Sequence, residues 1–470
     1  MVKKTKHEDL GKLRAQIRDV TLDIIAKAHK RMELSERIGT IKGNLNIDIQ
    51  DESVEQEIRS SVIEFSNKLG IDPAFSGRLL NILLAESVRL QQIQHRRTED
   101  ITLKNTHLSV FMKAKELESS GKKIIHMEVG EPDFPPPKSV RSALLESYKM
   151  KQYHYTDSRG LLRLRQAVAN KVGNGITDDE VIITSGGRFA IFSAMLALLK
   201  QGEEVISIDP SWPAYREFVD FAGGKIKILQ TTIEERWTPN LRKLEEMIGH
   251  HTKVIILNYP NNPTGKVLNE KEISKIISLA GDNGLYLISD EVYSDYVYGR
   301  FTSLTHYKYD KSIVVSSFSK SCAMTGFRVG YGIARKGIID KMARIQAIAL
   351  TSVAEPMQYA ALSAIDYNPA GNVKLIKERL DLISKKLRQM SLDFVSPQGA
   401  MYVYPRLNGS IQTDAELVKT LLELGVAVAP GSGFGENYKQ FIRISACQPK
   451  EMLKRGLEII ESVLCMRGGK

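Results

Sequence analysis

Along the first hundred residues, apolar side chains recur at the three- and four-residue spacing of amphipathic helices. The apolar positions of the first segment are Leu10, Leu13, Ile17, Val20, Ile24, Ala28, Met32 and Ile38. The pattern predicts helices over His7–Lys42, Asp51–Leu69 and Pro73–Arg97, the last with Asp72 as its cap. Because the first helix is longer than most helices of globular domains, its apolar stripe needs a partner to cover it.

After residue 98 the pattern changes to short β-rich runs that alternate with helical segments. The predicted strands are VIIT from Val181, EVISID from Glu204, KIKIL from Lys225, KVIILN from Lys253, LYLIS from Leu285 and SIVVSS from Ser312. This alternation predicts a mainly parallel sheet with helices on both faces. We therefore expect an all-α domain over residues 1–98 and an α/β domain over residues 99–470. In such sheets ligands bind beyond the carboxyl ends of the strands.

Composition narrows the class of protein. The chain has 470 residues, of which 42% are hydrophobic and 26% charged, which is typical of a soluble protein with more than one domain. No long apolar run follows the basic first residues or occurs elsewhere, which argues against secretion and membrane spanning and favours a cytoplasmic location.

The three cysteines, Cys322, Cys447 and Cys465, form no close pair, so we expect neither disulfides nor a metal site. The net charge of +11 is spread along the chain without a long basic run. This distribution favours small anionic substrates over nucleic acid as partners.

Residues that follow the predicted strands carry the candidate chemistry. After VIIT, Gly186 and Gly187 open a helix, an arrangement that suits an anion such as phosphate. At the end of SIVVSS, Ser317 and the following Lys320 form an S-x-x-K motif, which fits either a serine nucleophile with a lysine base or a lysine that binds an aldehyde cofactor as a Schiff base. The serine interpretation lacks its companion motifs, because neither S-D-N nor K-T-G occurs in the chain.

Four motifs decide between these chemistries. NNPTG, SDEVY, SFSK and GFRVGY together resemble the fold-type I aminotransferases, which use pyridoxal 5′-phosphate (PLP), over about residues 101–470. The resemblance implies a large cofactor-binding domain over about residues 145–355. It also implies a smaller α+β domain built from about residues 101–144 and 356–470.

The same resemblance implies a role for each matching residue. Lys320 matches the lysine that binds PLP and moves the substrate proton, and Asp290 matches the carboxylate that keeps the pyridine nitrogen protonated. Asn262 and Tyr293 match the donors to the phenolic oxygen, Trp212 the ring-stacking aromatic, and Gly130 and Arg443 the substrate-carboxylate site. The implied phosphate ligands are Gly187, Arg188, Ser317, Arg328 and Tyr155 of the partner subunit, so a homodimer is expected.

Arg188 departs from many relatives, which carry a small or neutral residue after the two glycines. A cation at this position favours a distal carboxylate, as in aspartate, glutamate or prephenate. A second phosphate ligand is an equally good interpretation, and the sequence leaves both open.

The helices of the first hundred residues also carry polar side chains at regular spacings. Arg31 and Lys42 lie 11 residues apart, which turns them to the same helix face within about 20°, whereas Arg14 is rotated by about 100°. Two further pairs have the i, i+4 spacing, Asp51 with Glu55 and Ser87 with Gln91. Each pair alone is typical of a solvated helix face.

Together these positions resemble the all-helical chorismate mutase family over about residues 8–95. The resemblance implies that Arg31, assisted by Ser87 and by Arg14 of the partner subunit, holds the substrate carboxylates. Lys42 and Gln91 are implied to face the ether oxygen, and Asp51 and Glu55 the hydroxyl side. Two positions depart from the family pattern, since Val54 replaces a frequent arginine and Thr21 a frequent aspartate.

The sequence thus predicts a bifunctional enzyme of aromatic amino acid biosynthesis. It would convert chorismate to prephenate and transaminate prephenate or an aromatic keto acid with glutamate or aspartate. The alternative is an aspartate aminotransferase with a non-catalytic helical domain for dimerisation or feedback binding. A PLP-binding regulator is disfavoured, because no helix-turn-helix segment with a basic recognition helix stands out.

Overall fold

The computed structural model describes residues 2–45, 52–98, 107–407 and 413–468, and the chain forms two compact units, residues 1–104 and 105–470. The first unit contains α1 (Val2–Leu45), α2 (Glu52–Leu69) and α3 (Pro73–Thr98), which confirms the predicted helices. Helices α1 and α2 both pack against α3. The side chain of Asp72 accepts a hydrogen bond from the amide of Ala74 at 2.9 Å, so it caps α3 as expected.

One face of α1 stays uncovered within a single chain. The exposed apolar side chains of this face include Leu13, Ile17, Val20, Ile24 and Ile38. By contrast, Leu80 and Leu84 of α3 are buried. The stripe that the sequence predicts to need a partner is therefore not covered by α2 and α3 of the same chain.

The second unit is an α/β fold. Its helices are α4 (His107–Ser119), α5 (Lys138–Lys149), α6 (Leu162–Val172), α7 (Gly186–Leu198), α8 (Ala214–Phe221), α9 (Leu241–Met247), α10 (Glu270–Asp282), α11 (Phe318–Ser321), α12 (Lys336–Leu350), α13 (Glu355–Ser363), α14 (Ala370–Gln389), α15 (Asp414–Glu423) and α16 (Lys450–Gly468). Its strands are β1 (Ile125–His126), β2 (Val181–Thr184), β3 (Glu204–Asp209), β4 (Lys225–Gln230), β5 (Thr252–Asn258), β6 (Tyr286–Asp290), β7 (Ser312–Ser317), β8 (Gly330–Ala334), β9 (Tyr402–Val403), β10 (Val426–Ala427), β11 (Ala429–Pro430) and β12 (Ile442–Ser445). Among the described residues, every helix is too short or too polar to cross a membrane.

The central sheet has the strand order β2-β8-β7-β6-β5-β3-β4. The order confirms the predicted strands and the mainly parallel sheet, because β3 to β7 pair in parallel. Apolar clusters cover both of its faces, one including Ile183, Ile255 and Leu287 and the other Ile182, Val254 and Ile288. Alternate residues of one strand thus pack into the two clusters on opposite faces, which explains why these strands are apolar throughout.

Strand β8 was not predicted from the sequence. It lies between β2 and β7 and is antiparallel to both, so its amino end meets their carboxyl ends. The segment before β8, which contains Arg328, therefore reaches the same edge of the sheet as the segments after β5, β6 and β7.

The smaller part of the second unit contains an antiparallel sheet of order β11-β12-β9 and the parallel pair β1-β10. Its core combines residues from α14, α15 and α16 with both sheets, including Ile383, Leu421, Ile444 and Leu457. Tyr293 and Tyr296, which follow β6 of the large sheet, also belong to this core. The large and small parts are therefore joined beside the end of β6.

At Gly330 the first residue of β8 passes very close to the start of α7. A Cβ atom on Gly330 would lie 2.4 Å from the amide nitrogen of Gly187 and 2.6 Å from the carbonyl carbon of Gly186. Both of these neighbours are backbone atoms, so a side chain at position 330 would push the Gly186–Gly187 turn away from the sheet.

We expect Gly330→Ala to lower the free energy of unfolding by about 2 kcal/mol or more, because backbone must shift to admit the methyl group. It should also weaken PLP binding through displacement of Gly187. Gly326→Ala is the matched control, since nothing lies within 4 Å of its Cβ position. Urea unfolding and PLP titration of both variants check this expectation, and equal behaviour of the two would contradict it.

Candidate functional site

A cavity of about 290 Å³ lies at the edge where β5, β6 and β7 end and β8 begins. The predicted residues that line it are Gly130, Gly187, Arg188, Trp212, Asn262, Asp290, Tyr293, Ser317, Lys320, Arg328 and Arg443. Tyr155 does not line it, and this residue is 86% exposed in the single chain. The fold therefore gathers residues spread over more than three hundred positions into one site.

Lys320 lies in α11, the short helix that follows β7. Its Nζ donates a hydrogen bond to the carbonyl oxygen of Gly130 at 2.6 Å. Burial is the largest influence on this amine and lowers its pKa, whereas the carboxylate of Glu131 acts in the opposite direction. A lysine amine with a lowered pKa is a better nucleophile and base near neutral pH.

The hydroxyl of Ser317 serves the local backbone. Its Oγ accepts a hydrogen bond from the amide of Ser319 at 3.0 Å and caps α11. It also lies 2.8 Å from the Oγ of Ser319. Since the amine of Lys320 is directed to Gly130, the geometry argues against a serine nucleophile with a lysine base.

Asp290 is the last residue of β6 and is almost completely buried. Its Oδ2 accepts a hydrogen bond from the hydroxyl of Tyr215 at 2.5 Å, and its Oδ1 accepts one from the amide of Val292 at 3.3 Å. Burial raises the pKa of Asp290 to about 6, although the bond from Tyr215 and the charge of Lys320 lower it. A buried carboxylate in this environment favours a cationic partner.

Arg443 in β12 is buried, and its guanidinium is contacted by two hydrogen-bond acceptors and two aromatic rings. Its Nη1 donates to Oδ1 of Asn262 at 2.7 Å, and its Nη2 donates to the carbonyl oxygen of Glu128. The guanidinium lies 4.2 Å from the ring centre of Tyr402 and 5.0 Å from that of Phe434. Among the described residues, its buried Nε has no hydrogen-bond partner. A guanidinium fixed between two rings is already oriented to bind a carboxylate.

Tyr402 is a lining residue that the sequence did not indicate. Its hydroxyl lies 2.6 Å from that of Tyr293, and the two rings meet edge to face. A Cβ atom on Gly130 would lie 1.7 Å from the Tyr402 hydroxyl, so only glycine leaves room for this tyrosine. Tyr402 therefore connects Gly130, Tyr293 and Arg443.

Two arginines lie at the opening of α7. The guanidinium carbon of Arg188 is 4.5 Å from the ring centre of Trp212, with Glu217 and Arg328 as charged neighbours. Arg328 adopts the left-handed backbone conformation at φ 55° and donates from Nη1 to the carbonyl oxygen of Thr325 at 2.8 Å. The site thus places cations near the amino end of a helix, where anions bind readily.

These features fit PLP. Arg188, Arg328 and the start of α7 suit its phosphate, buried Asp290 suits its pyridinium nitrogen, and the amine of Lys320 suits its aldehyde. The partnerless Nε of Arg443 leaves donor capacity for a substrate carboxylate in the same cavity.

The first unit brings together part of its predicted site. Nη1 of Arg31 donates to the carbonyl oxygen of Leu83 at 2.7 Å and to the Oγ of Ser87. Gln91 lies one turn beyond Ser87, and its buried Oε1 has no hydrogen-bond partner in the part of the chain that the structure describes. Burial lowers the pKa of Arg31 from its ordinary value. Arg31 of α1 and Ser87 of α3 are thus in direct contact, with Gln91 next along α3.

The other predicted residues of this unit differ in how exposed their side chains are. Lys42 and Glu55 are partly buried, and Arg14 is exposed on the far part of α1. Asp51 lies outside the described residues. Val54 is 48% exposed, and the hydroxyl of Thr21 donates to the carbonyl oxygen of Ile17 at 2.7 Å.

Sequence reasoning missed three side chains that support the larger site, namely Tyr215, Tyr402 and Asn258. Asn258 accepts a hydrogen bond from the amide of Asn262 at 3.0 Å and so orders the turn after β5. Tyr215 follows Trp212 by three residues in PSWPAY, a spacing at which two side chains can meet, and this signal was available in the sequence. No local pattern distinguishes Tyr402.

Two family models match the chain. The aminotransferase class I and II model matches residues 122–460, and the chorismate mutase type II model matches residues 13–92. An aspartate aminotransferase of Thermotoga maritima is 34% identical over 380 residues, which cover 79% of this chain and 99% of that protein. An aspartate/prephenate aminotransferase of Thermus thermophilus is 33% identical over 368 residues, which cover 76% of this chain and 95% of that protein.

Solved structures agree with these matches. The Thermus thermophilus aspartate aminotransferase with maleate superposes with a TM-score of 0.73 at 32% identity, covering 76% of this chain and 96% of that one. An aromatic aminotransferase from Pyrococcus horikoshii gives a TM-score of 0.71 at 34% identity, covering 76% and 99%. These structures share the fold of the second unit.

The raised pKa of Asp290 predicts how the cofactor-free protein responds to pH. The folded-state pKa of about 6 exceeds the ordinary 3.8, so the unfolded chain releases this proton first and stability falls as pH rises from about 4 to 6. Asp290→Asn should therefore stabilise the cofactor-free protein by up to about 3 kcal/mol at neutral pH and by less near pH 5.

Urea unfolding of the cofactor-free variant and wild type, at about pH 5 and about pH 7.5, measures this difference. The matched control is Asp310→Asn, which changes an exposed carboxylate. A stabilisation by Asp290→Asn that does not grow with pH would contradict the assignment of a buried, destabilising charge.

Proposed function

Because the chain belongs to the class I and II aminotransferases and carries a type II chorismate mutase domain, we propose that it makes prephenate and then transaminates prephenate or an aromatic keto acid. The observation that carries this proposal is the presence of two clusters with cationic side chains in one chain. One contains Arg31 and Ser87, and the other contains Arg188, Arg328 and Arg443. Glutamate or aspartate would supply the amino group.

The mutase reaction is an intramolecular rearrangement that requires neither a nucleophile nor a cofactor. It requires donors that hold two carboxylates in a folded conformer and stabilise charge on the ether oxygen as its bond breaks. The contact between Arg31 and Ser87 supports such a role, and so does the position of Gln91, whose side-chain NH2 group is a donor, one turn further along α3. Lys42 is assigned to the ether oxygen, and Glu55 and Asp51 to the hydroxyl side.

A homodimer completes both sites in this proposal. The exposed apolar stripe of α1, from Leu13 through Ile24, supports a second copy packed along this helix. Arg14 on the exposed part of α1 would serve the mutase site of the other subunit. Tyr155, exposed in the single chain, would reach the phosphate site of the other subunit.

In the transaminase, bound PLP supplies the electron sink that makes the Cα proton of an amino acid acidic. The buried amine of Lys320, with its lowered pKa, accepts this proton and returns it. Arg443 binds the substrate α-carboxylate beside Asn262, and Gly130 lines the same site. With PLP bound, Asp290 would hold the pyridine nitrogen, Asn262 and Tyr293 would donate to the phenolic oxygen, and Trp212 would hold the ring.

Arg188 supports a dicarboxylic substrate. Its guanidinium packs on Trp212 inside the cavity, whereas Arg328 and Gly187 remain available to the phosphate with Ser317. The relative from Thermus thermophilus is named for aspartate and prephenate, and the solved Thermus enzyme holds maleate, a dicarboxylate. The second candidate function, an aspartate aminotransferase with a non-catalytic helical domain, rests on the aspartate aminotransferase among the relatives.

Mixing two inactive variants tests the mutase and its dimeric site together. Arg14→Ala and Arg31→Ala chains should each lose most chorismate mutase activity, since hydrogen bonds to charged groups contribute about 10- to 100-fold each. Unfolding and refolding an equimolar mixture should restore about a quarter of the wild-type activity. Half of the random dimers are mixed, and each mixed dimer has one site with both arginines.

Transaminase activity of both variants should stay unchanged, which controls for folding. A wild-type chain without any mutase activity would support the non-catalytic helical domain. Failure of the mixture to recover activity would contradict the sharing of Arg14 between subunits.

Arg188→Leu tests the substrate class. We expect kcat/KM for prephenate and oxaloacetate to fall by about 10- to 100-fold, the effect of losing a charged hydrogen bond, while kcat/KM for phenylpyruvate changes little. Half-reactions of each keto acid with the amino form of the cofactor measure these values. Arg188→Lys is the matched control that keeps the charge. Equal losses for all three keto acids, with weaker PLP binding, would instead make Arg188 a phosphate ligand.

A further inference from the structure

Tyr215 lies beneath the cavity and touches Asp290 without lining the cavity itself. The residue is completely buried, at 0% exposure, near the start of α8. Its hydroxyl donates a hydrogen bond to Oδ2 of Asp290 at 2.5 Å. Its ring meets that of Trp212 edge to face, with ring centres 5.4 Å apart and planes at 89°. The side chain of Tyr215 thus contacts both the buried carboxylate of Asp290 and the ring of Trp212, which lines the cavity.

The side chain of Asp290 has few other polar contacts. Its Oδ1 accepts the amide of Val292 at the longer distance of 3.3 Å, and Asn258 reaches only the backbone carbonyl oxygen of Asp290, at 3.4 Å. Tyr215 is the side-chain hydrogen-bond donor to this carboxylate among the described residues. Its removal would leave Oδ2 buried and without a partner, which favours protonation or rotation of the carboxyl group.

We propose that Tyr215 is a positioning residue of the transaminase, whose hydroxyl keeps the carboxylate of Asp290 ionised and oriented into the cofactor cavity. The edge-to-face contact with Trp212 lets the same side chain set the tilt of the aromatic that lines the cavity beside Arg188. The inference rests on the aminotransferase chemistry of the second unit and is independent of which keto acid the enzyme prefers.

The titration of the two groups agrees with this geometry. Burial raises the pKa of Tyr215 well above its ordinary value, so the phenol stays protonated and remains a donor. Burial also raises the pKa of Asp290 to about 6, and the bond from Tyr215 acts against that shift. Without the donor, a larger fraction of Asp290 is protonated near neutral pH and cannot stabilise a positive charge on the pyridine nitrogen of the cofactor.

Tyr215→Phe removes only the hydroxyl and tests the proposal in the full-length holoenzyme without any substrate. We expect the pH midpoint of the visible absorption change of the lysine-bound cofactor to move upward by about one unit, because a neutral pyridine no longer favours loss of the nearby proton. PLP affinity should fall by about tenfold. Tyr309→Phe is the matched control, since its hydroxyl donates to the carbonyl oxygen of Leu285 instead.

A purely structural role predicts a different result, namely lower stability with the midpoint and PLP affinity of the wild type. That result would overturn the proposal. If Tyr215→Phe is too unstable to purify, the comparison moves to Tyr215→His, which retains a side-chain donor. The proposal expects a midpoint closer to the wild type than to Asp290→Asn, and a midpoint equal to that of Asp290→Asn would overturn it. The pH midpoint and the PLP affinity are both measured without substrate. A protein that turned over no keto acid would therefore still give both values.

Discussion

The burial of Asp290 at the end of β6 is the constraint on which the larger site depends. A carboxylate removed from water is costly unless it is paired or hydrogen-bonded, and burial raises the pKa of this one to about 6. The surrounding structure offers a phenol, a backbone amide and a lysine amine rather than an adjacent arginine. The pKa of Asp290 therefore lies nearer to neutral pH than that of an exposed aspartate, and a cation bound beside it would favour the ionised form.

Lys320 is the complementary case, because the same burial lowers the pKa of its amine. A cavity that disfavours both a free carboxylate and a free ammonium favours a ligand that pairs with the first and reacts with the second. The architecture provides this cavity beside the end of β6, with Arg443 and Tyr402 on the smaller sheet, Asp290 at the end of β6 and Lys320 in α11. A cavity lined by several elements can exclude water while each element positions its own side chains.

The sequence predicted the features that are local in the chain and missed those that arise only on folding. Helical spacing and β-rich runs indicated α1 to α3 and the parallel strands, and the residues after these strands do meet in one cavity. Strand β8 was not predicted, because its start contains Gly330 and Gly332 and so lacks the continuous apolar run of a buried strand. Tyr402 was not predicted, because its role in the site depends on contacts with Gly130 and Tyr293, which are more than a hundred residues away in the sequence.

The two units place their cationic side chains in different surroundings. In the first, a half-buried Arg31 shares its donors with Ser87 and a backbone carbonyl. Such a site suits a reaction that needs only a rigid array of donors around its substrate. In the second, cations at the start of α7 and on β12 flank a buried carboxylate and a lysine amine in one cavity. The chorismate mutase and aminotransferase domains thus bring two kinds of site into one chain, one with Arg31 beside neutral donors and acceptors and one with arginines beside a buried carboxylate and an amine.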